Sequence, residues 1–255
     1  LMIGSSFVWA ERPVKVYSVE QDGSLSLKSD ISDTVKKPEI LSETGLPVES
    51  SSNEIMVDNF EDGDLKNLLE GESGSWNLTP DLEEVAIDLV VKEGEGYPDS
   101  GKALKMIYDV QGRETAKLGF WTKLRGLDAR SFDHLAFEVR GDAKGGFTTV
   151  FLLELKKYKN DERIDKIKGT HIVENVSPEW QTVEIPLNLF TGLFDQTNPD
   201  IWKDPLLALK DLEELVVNIE SRRVTKQTGA LYFDNFRFVE KGIRGMTIID
   251  QPVQE

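Results

Sequence analysis

Gly229-Ala-Leu-Tyr-Phe-Asp234-Asn-Phe-Arg-Phe238 is the stretch on which the fold turns. Aromatic residues dominate it and Val239 follows, so Ala230–Val239 reads as a strand and not as a helix. Working outward, similar period and composition recur in Ile55–Phe60, Ala103–Val110, Leu118–Leu124, His134–Arg140, Thr148–Leu155, Gly169–Val176, Thr182–Pro186 and Glu214–Ile219. Gly, Asp, Asn and Pro clusters separate these segments. Nine short strands at this spacing predict an all-β sandwich or barrel. Pro186 closes one strand, where a ladder donor is dispensable. Leu206–Leu215, after Asp204-Pro205, suggests one short helix, and the segment from Gly126 to Phe132 a half-turn before a strand.

The 255 residues suffice for one large or two small domains, and a chain of that length buries a core without covalent staples. Its formal net charge of −16 argues against a nucleic-acid partner, whose phosphates need a basic surface, and against docking on an anionic membrane. An acidic surface instead favours solubility and attracts cations such as calcium. With no cysteine, no disulfide, thiolate metal site or cysteine nucleophile can form. No run approaches the roughly 18–20 apolar residues of a membrane-spanning helix.

The N-terminal part differs from the rest. Leu1-Met2-Ile3-Gly4-Ser5-Ser6-Phe7-Val8-Trp9-Ala10 resembles the end of an export signal with a small-residue cleavage site, or else a short apolar strand. The first reading places the protein at the cell exterior, in the periplasm or on the cell surface. In residues 11–54, Val14, Val16, Leu25 and Leu27 alternate with polar residues around Asp22-Gly23, a hairpin signal. The polar stretch from Ser29 to Glu54 reads as a linker or strap. A globular domain is expected over 55–240, followed by a tail at 241–255 whose apolar patch is Met246–Ile249.

Several motifs follow one another in a recognisable order. Val57-Asp58-Asn59-Phe60-Glu61-Asp62-Gly63 opens the domain, Trp76 follows, and then Tyr97-Pro-Asp-Ser-Gly-Lys-Ala-Leu-Lys-Met-Ile-Tyr108. Gly119-Phe-Trp-Thr-Lys-Leu124, Phe132-Asp-His-Leu-Ala-Phe-Glu-Val139 and Trp180-Gln-Thr-Val-Glu-Ile-Pro-Leu187 lead to the closing stretch quoted first. In this order residues 55–240 resemble the family 11 carbohydrate-binding modules and the related complex I intermediate-associated proteins. The resemblance implies a galactose-binding-like jelly-roll β-sandwich, here with an extended N-terminal arm. It also implies a calcium ion stapling the loop after the first strand to the last strand, with Glu61 and Asp234 as protein ligands and Asp58, Asp62 and Asp64 nearby. Calcium takes about 6–8 hard oxygen ligands, which carboxylates and loop carbonyls supply.

Sugar binding needs rings for the apolar faces of pyranoses and polar groups for their hydroxyls. The candidates are Trp121 and Tyr158, with Glu154, His171, Glu220 and Arg222 beside Arg223. Phe120 and Trp121 are adjacent in a strand, so one enters the core and the other faces outward. One departure from the family pattern stands out. The segment after the Ile-Pro strand, basic and aromatic in the family, is Thr191-Gly-Leu-Phe-Asp-Gln196 here, and Glu220 stands near an expected tyrosine.

Catalysis is not expected. The chain has two histidines, His134 and His171, and no nucleophile elbow, His-Glu-x-x-His pair or phosphate loop. With 46 acids, paired carboxylates discriminate nothing. The expected function is non-catalytic binding of a polysaccharide or other glycan at the cell exterior or envelope. The alternative is a structural or assembly subunit that uses its arm for self-assembly or for contacts with an envelope protein. A third reading, an intracellular assembly factor, conflicts with the export signal.

Overall fold

The computed structural model describes residues 15–19, 25–30, 53–78, 85–98, 101–112, 114–158, 166–194, 200–201 and 204–241. Contacts divide the chain into two units, Leu1–Ser50 and Ser51–Glu255. In the first unit β1 (Lys15–Val19) pairs antiparallel with β2 (Leu25–Asp30), from Lys15 opposite Asp30 to Val19 opposite Leu25. This is the hairpin expected around Asp22-Gly23. The turn itself, the opening segment 1–10, the stretch 31–52 and the tail with Met246–Ile249 lie outside the described residues.

The second unit is a two-sheet β-sandwich. One sheet orders β10 (Lys166–Val173), β9 (Phe151–Tyr158), β12 (Leu212–Glu220), β7 (Lys117–Leu127) and β4 (Ser73–Asn77). The other orders β11 (Gln181–Pro186), β8 (His134–Gly141), β13 (Thr228–Val239), β6 (Lys102–Val110) and β5 (Val85–Glu93). A sixth strand, β3 (Glu54–Asp58), also pairs with β13, and all these pairings are antiparallel.

β13 explains why its sequence decides the fold. Leu231 and Phe233 enter the core, and so do Phe236 and Phe238, although Phe233 and Phe236 differ by an odd number of positions. A bulge between Asp234 and Arg237 makes this possible, with Asn235 in the left-handed region at φ 49°. Asn tolerates that conformation better than other non-glycine residues. β6 pairs with Thr228–Phe233 and β3 with Phe236–Val239. Phe236 stacks on Phe137 (5.2 Å between centroids), Phe233 (5.8 Å) and Phe120 (6.3 Å), and Phe151 meets Phe233 edge-on at 5.5 Å. Each such ring, fully buried, contributes roughly 1.5–3 kcal/mol over an exposed one.

Three expectations need correction. β4 and β5 were not among the strands read from the sequence. Leu206–Leu215 is not a helix. A single 3-10 turn, Pro205–Leu209, starts at Asp204, whose side chain accepts the Leu206 N–H. Asp211 at φ 59° bends the chain, and β12 follows at once. The last four residues of that "helix" are therefore strand, with Leu212 and Leu215 in the core.

Candidate functional site

The two faces of the five-stranded sheet have opposite characters. Leu118, Phe120 and Leu124 of β7, Leu153 and Leu155 of β9, and Leu215, Val217 and Ile219 of β12 fill the core. By alternation the residues between them face outward. There the ladder register builds successive rungs. One rung runs Lys123, Glu214, Lys156, Lys168. The next runs Gly74, Trp121, Val216, Glu154, Thr170. A third runs Trp76, Gly119, Asn218, Leu152, Ile172. Leu78, Lys117 and Glu220 form the end.

The two glycines lie beneath the two indoles. A Cβ at Gly74 would stand 3.0 Å from Trp121 Cζ2, and one at Gly119 would stand 2.8 Å from Trp76 Nε1. Each tryptophan therefore lies over the glycine beside it on the neighbouring strand. The result is a groove of about 480 Å³, bounded by Trp76, Leu78 and Trp121 and floored by Val216 and Asn218. That volume falls in the usual range of ligand clefts. An adjoining depression of about 720 Å³ shares Trp121 and Lys123 and extends to Lys66 and Arg125.

Charges in the groove are arranged in layers. Glu154 and Glu214 are buried, and lysines stand over them. Lys168 reaches Glu154 at 3.0 Å, Lys156 reaches Glu154 at 3.3 Å and Glu214 at 3.8 Å, and Lys123 pairs with Glu214. Lys117 meets Glu220 at 2.7 Å, and Arg223 meets the same carboxylate at 3.0 Å. Burial pushes Glu220 up, but hydrogen bonds and charge from Lys117 and Arg223 outweigh it and hold the carboxyl below its ordinary range. Two polar atoms on the Trp76 rung are buried without a hydrogen-bond partner, the donor Trp76 Nε1 and the acceptor Asn218 Oδ1. Leaving such groups unpaired costs about 1–3 kcal/mol each.

Of the sequence-predicted sugar contacts, Trp121, Glu154 and Glu220 come together here. Phe120 is the core member of the Phe120/Trp121 pair, as alternation requires. Tyr158 ends β9, and its ring lies outside the described residues. His171 is opposite Leu153, which puts it on the core side of the sheet, against Phe190 at 5.8 Å. Arg222 sits in the turn after β12 and pairs with Glu114 at 3.2 Å, away from the groove. Thr191 bridges to Thr170 at the β10 edge, and Phe194 packs on the core. Trp76, Glu214, Asn218 and the lysines were missed. The polar alternation of Glu214, Asn218 and Glu220 along β12 was a readable signal for two of them.

The acids assigned to calcium by the resemblance occupy two places. Asp234, next to the core residue Phe233, faces away from the core by alternation, and its carboxylate accepts the Tyr97 N–H at 2.8 Å and the Asn235 N–H at 2.7 Å. Glu61 accepts the Lys102 N–H at 3.1 Å and tucks against Gly101, where a Cβ would lie 2.1 Å from its Oε1. Burial pushes Asp234 up to about 6; the Tyr97 and Asn235 N–H groups oppose this, and the Glu61 and Glu138 charges add to it. Asp58 accepts the Phe60 N–H at 2.9 Å, while its other oxygen is buried and unpartnered. Burial pushes Asp58 up to about 7; the Phe60 N–H opposes this, and the Asp62 and Asp64 charges add to it. Among the described residues no cluster of three or more metal-ligating side chains occurs. No helix among them is long and apolar enough to cross a membrane.

Solved structures with this fold include the family 11 carbohydrate-binding module of the cellulosomal cellulase Lic26A-Cel5E of Clostridium thermocellum. It is 16% identical with a TM-score of 0.53, over 75% of this chain and 96% of that one. A second is the Clostridium thermocellum family 11 module in complex with a β-1,3-1,4-mixed-linked tetrasaccharide, 17% identical with a TM-score of 0.53, over 75% and 98%. No curated protein matches the sequence. The family model described as carbohydrate binding domain (family 11) matches residues 43–240, well over half of the chain. The chain belongs to family 11 of the carbohydrate-binding domains.

Proposed function

We propose that the outer face of the five-stranded sheet binds a polysaccharide without transforming it. The observation that carries this reading is the pair of indoles laid over Gly74 and Gly119, with an unpartnered donor and an unpartnered acceptor on one rung. Pyranose faces stack on such rings, and a sugar hydroxyl donates and accepts at once. With the export-signal reading of residues 1–10, this binding role carries a secreted, periplasmic or cell-surface location. Affinity electrophoresis through gels containing soluble polysaccharides tests it. Retardation by at least one polymer, lost in Trp121→Ala and in Trp76→Ala with folding intact, is the expected result. Equal mobility of wild type and both variants in every gel would overturn it.

A structural calcium ion belongs to the same reading. Asp234 accepts the Tyr97 N–H, and Gly101 leaves room for the Glu61 carboxylate. A cation between Glu61 and Asp234 would tie the loop after β3 to β13 and relieve the repulsion between the two acids. Asp58, beside Asp62 and Asp64, serves its turn instead. Calcium is expected to raise the melting temperature of the wild type but not of Asp234→Asn. Identical melting with calcium and with chelator sinks the metal site and leaves the groove untouched.

A further inference from the structure

The groove differs from the chain as a whole in the sign of the charge it offers to a ligand. The chain as a whole carries −16, yet lysines outnumber glutamates along the groove. Their heights differ as well. The side chains of Lys168, Lys117 and Lys123 are 60%, 44% and 34% exposed, whereas those of Glu154, Glu214 and Glu220 are 11%, 9% and 20% exposed. The carboxylates form the floor and the ammonium groups form the upper surface. Each glutamate already accepts from at least one lysine, so little anionic capacity is left for an incoming group.

A neutral sugar pressed onto this surface would strip water from several ammonium groups and return only hydroxyl contacts. A carboxylate-bearing sugar gives each of them a second charge-assisted partner, while the indoles still take the ring faces. We propose that the groove takes a linear acidic glycan, with uronate carboxylates seated between Lys117, Lys123 and Lys168, a specificity that rests on the carbohydrate-binding reading above.

The test uses the full chain and two matched polymers, polygalacturonate and its carboxyl-reduced derivative, which share linkage and differ in charge. Mixed-linked β-glucan serves as a neutral reference. Isothermal titration is expected to show polygalacturonate binding at least about tenfold tighter than either neutral polymer, since a charge-assisted contact is worth roughly 1.5 kcal/mol or more. The double substitution Lys117→Gln/Lys168→Gln should remove that preference. Both side chains are surface-exposed, and an unchanged melting temperature would show that folding survives. If a neutral polymer binds as tightly as polygalacturonate, or if only neutral glucan binds, the acidic specificity is wrong and the groove reading stands. If no polymer binds, the acidic specificity falls with it. If, besides, Trp121→Ala behaves as wild type in the polysaccharide gels, the groove reading itself falls.

Discussion

The outer faces of the two sheets are built from the same materials and end in different states. On the six-stranded sheet, Arg140 lies 3.8 Å from the Tyr232 ring centre and 5.2 Å from that of Trp180. Lys105 lies 4.9 Å from Tyr232 and is paired with Asp142 at 2.9 Å, Tyr97 meets Trp180 edge-on at 6.1 Å, and Arg140 is paired with Glu95. Ring faces and charges there are taken up by the protein itself. On the five-stranded sheet the indoles rest on glycines and Lys123 lies 5.3 Å from the Trp121 ring centre, but a buried donor and a buried acceptor remain unpaired. Aromatic rings beside cations do not by themselves make a binding face. What separates the two is the pair of buried polar atoms left without partners and the open groove above them.

That contrast can be broken or sharpened by substitution. The largest effect is expected from Gly119→Ala, because the new Cβ would lie 2.0 Å from the Val217 carbonyl oxygen, a backbone atom that cannot step aside. A loss of about 3 kcal/mol in urea denaturation is expected, at the upper end for overpacking. A near-neutral result would show that the β7–β12 spacing is looser than the geometry requires.

Next comes a mirrored pair. Arg140→Ala should destabilise by about 2 kcal/mol through lost cation–π and ion-pair contacts, with glycan affinity within about twofold of wild type. Trp121→Ala should weaken glycan binding by about tenfold or more while costing about 1 kcal/mol of stability, since the ring is only half-buried. An Arg140 variant that stopped binding glycan would erase the distinction between the faces.

Acid should act on the saturated face. The Lys105 ammonium holds the Asp142 carboxyl down to about 2, against an ordinary value near 3.8, with burial opposing and the Gly145 and Lys144 N–H groups assisting. A depressed carboxyl stabilises the fold fully above its unfolded pKa, and that contribution is lost as pH falls from about 4 towards 2. Asp142→Asn should therefore remove about 1 kcal/mol at neutral pH, discounted for screening, and flatten the stability profile in that window. Parallel wild-type and variant profiles there would show the pair contributes nothing. Arg222→Ala, in an exposed turn, should alter stability by less than about 0.5 kcal/mol and leave glycan binding unchanged. A larger loss of binding would move the site's edge to the end of β12.

Sequence reading went furthest where the chemistry is local. β8 and β13 announce themselves through aromatic and β-branched content, and the parity of Phe120 and Trp121 follows from alternation alone. β4 is Ser-Gly-Ser-Trp-Asn, whose small and polar residues give little strand signal; it is set by its pairing with β7 and by the Asn77 side chain on the Val85 carbonyl. β5 did carry a signal, the alternation of Val85, Ile87, Leu89 and Val91, all of which pack on the core. Trp76 could not be assigned to a face without the register that sets it opposite Gly119. His171 looked like a polar ligand, but its position opposite Leu153 put it on the wrong side of β10. The groove lysines were invisible for a different reason. In a chain where 30% of residues are charged, only the register shows which charges share a floor and which share a rim.

The bulge at Asp234–Arg237 acts on β13 as a frameshift acts on a coding sequence. Upstream of it the odd-numbered residues are core, and downstream the even-numbered ones. Deleting Asn235 would restore one uninterrupted alternation along the strand. It would also shorten the strand against β6, β3 and β8, which hold both halves at fixed registers. Homologues are therefore expected to vary the length of the loops around this strand freely, while the number of residues between the core positions Phe233 and Phe236 stays constant.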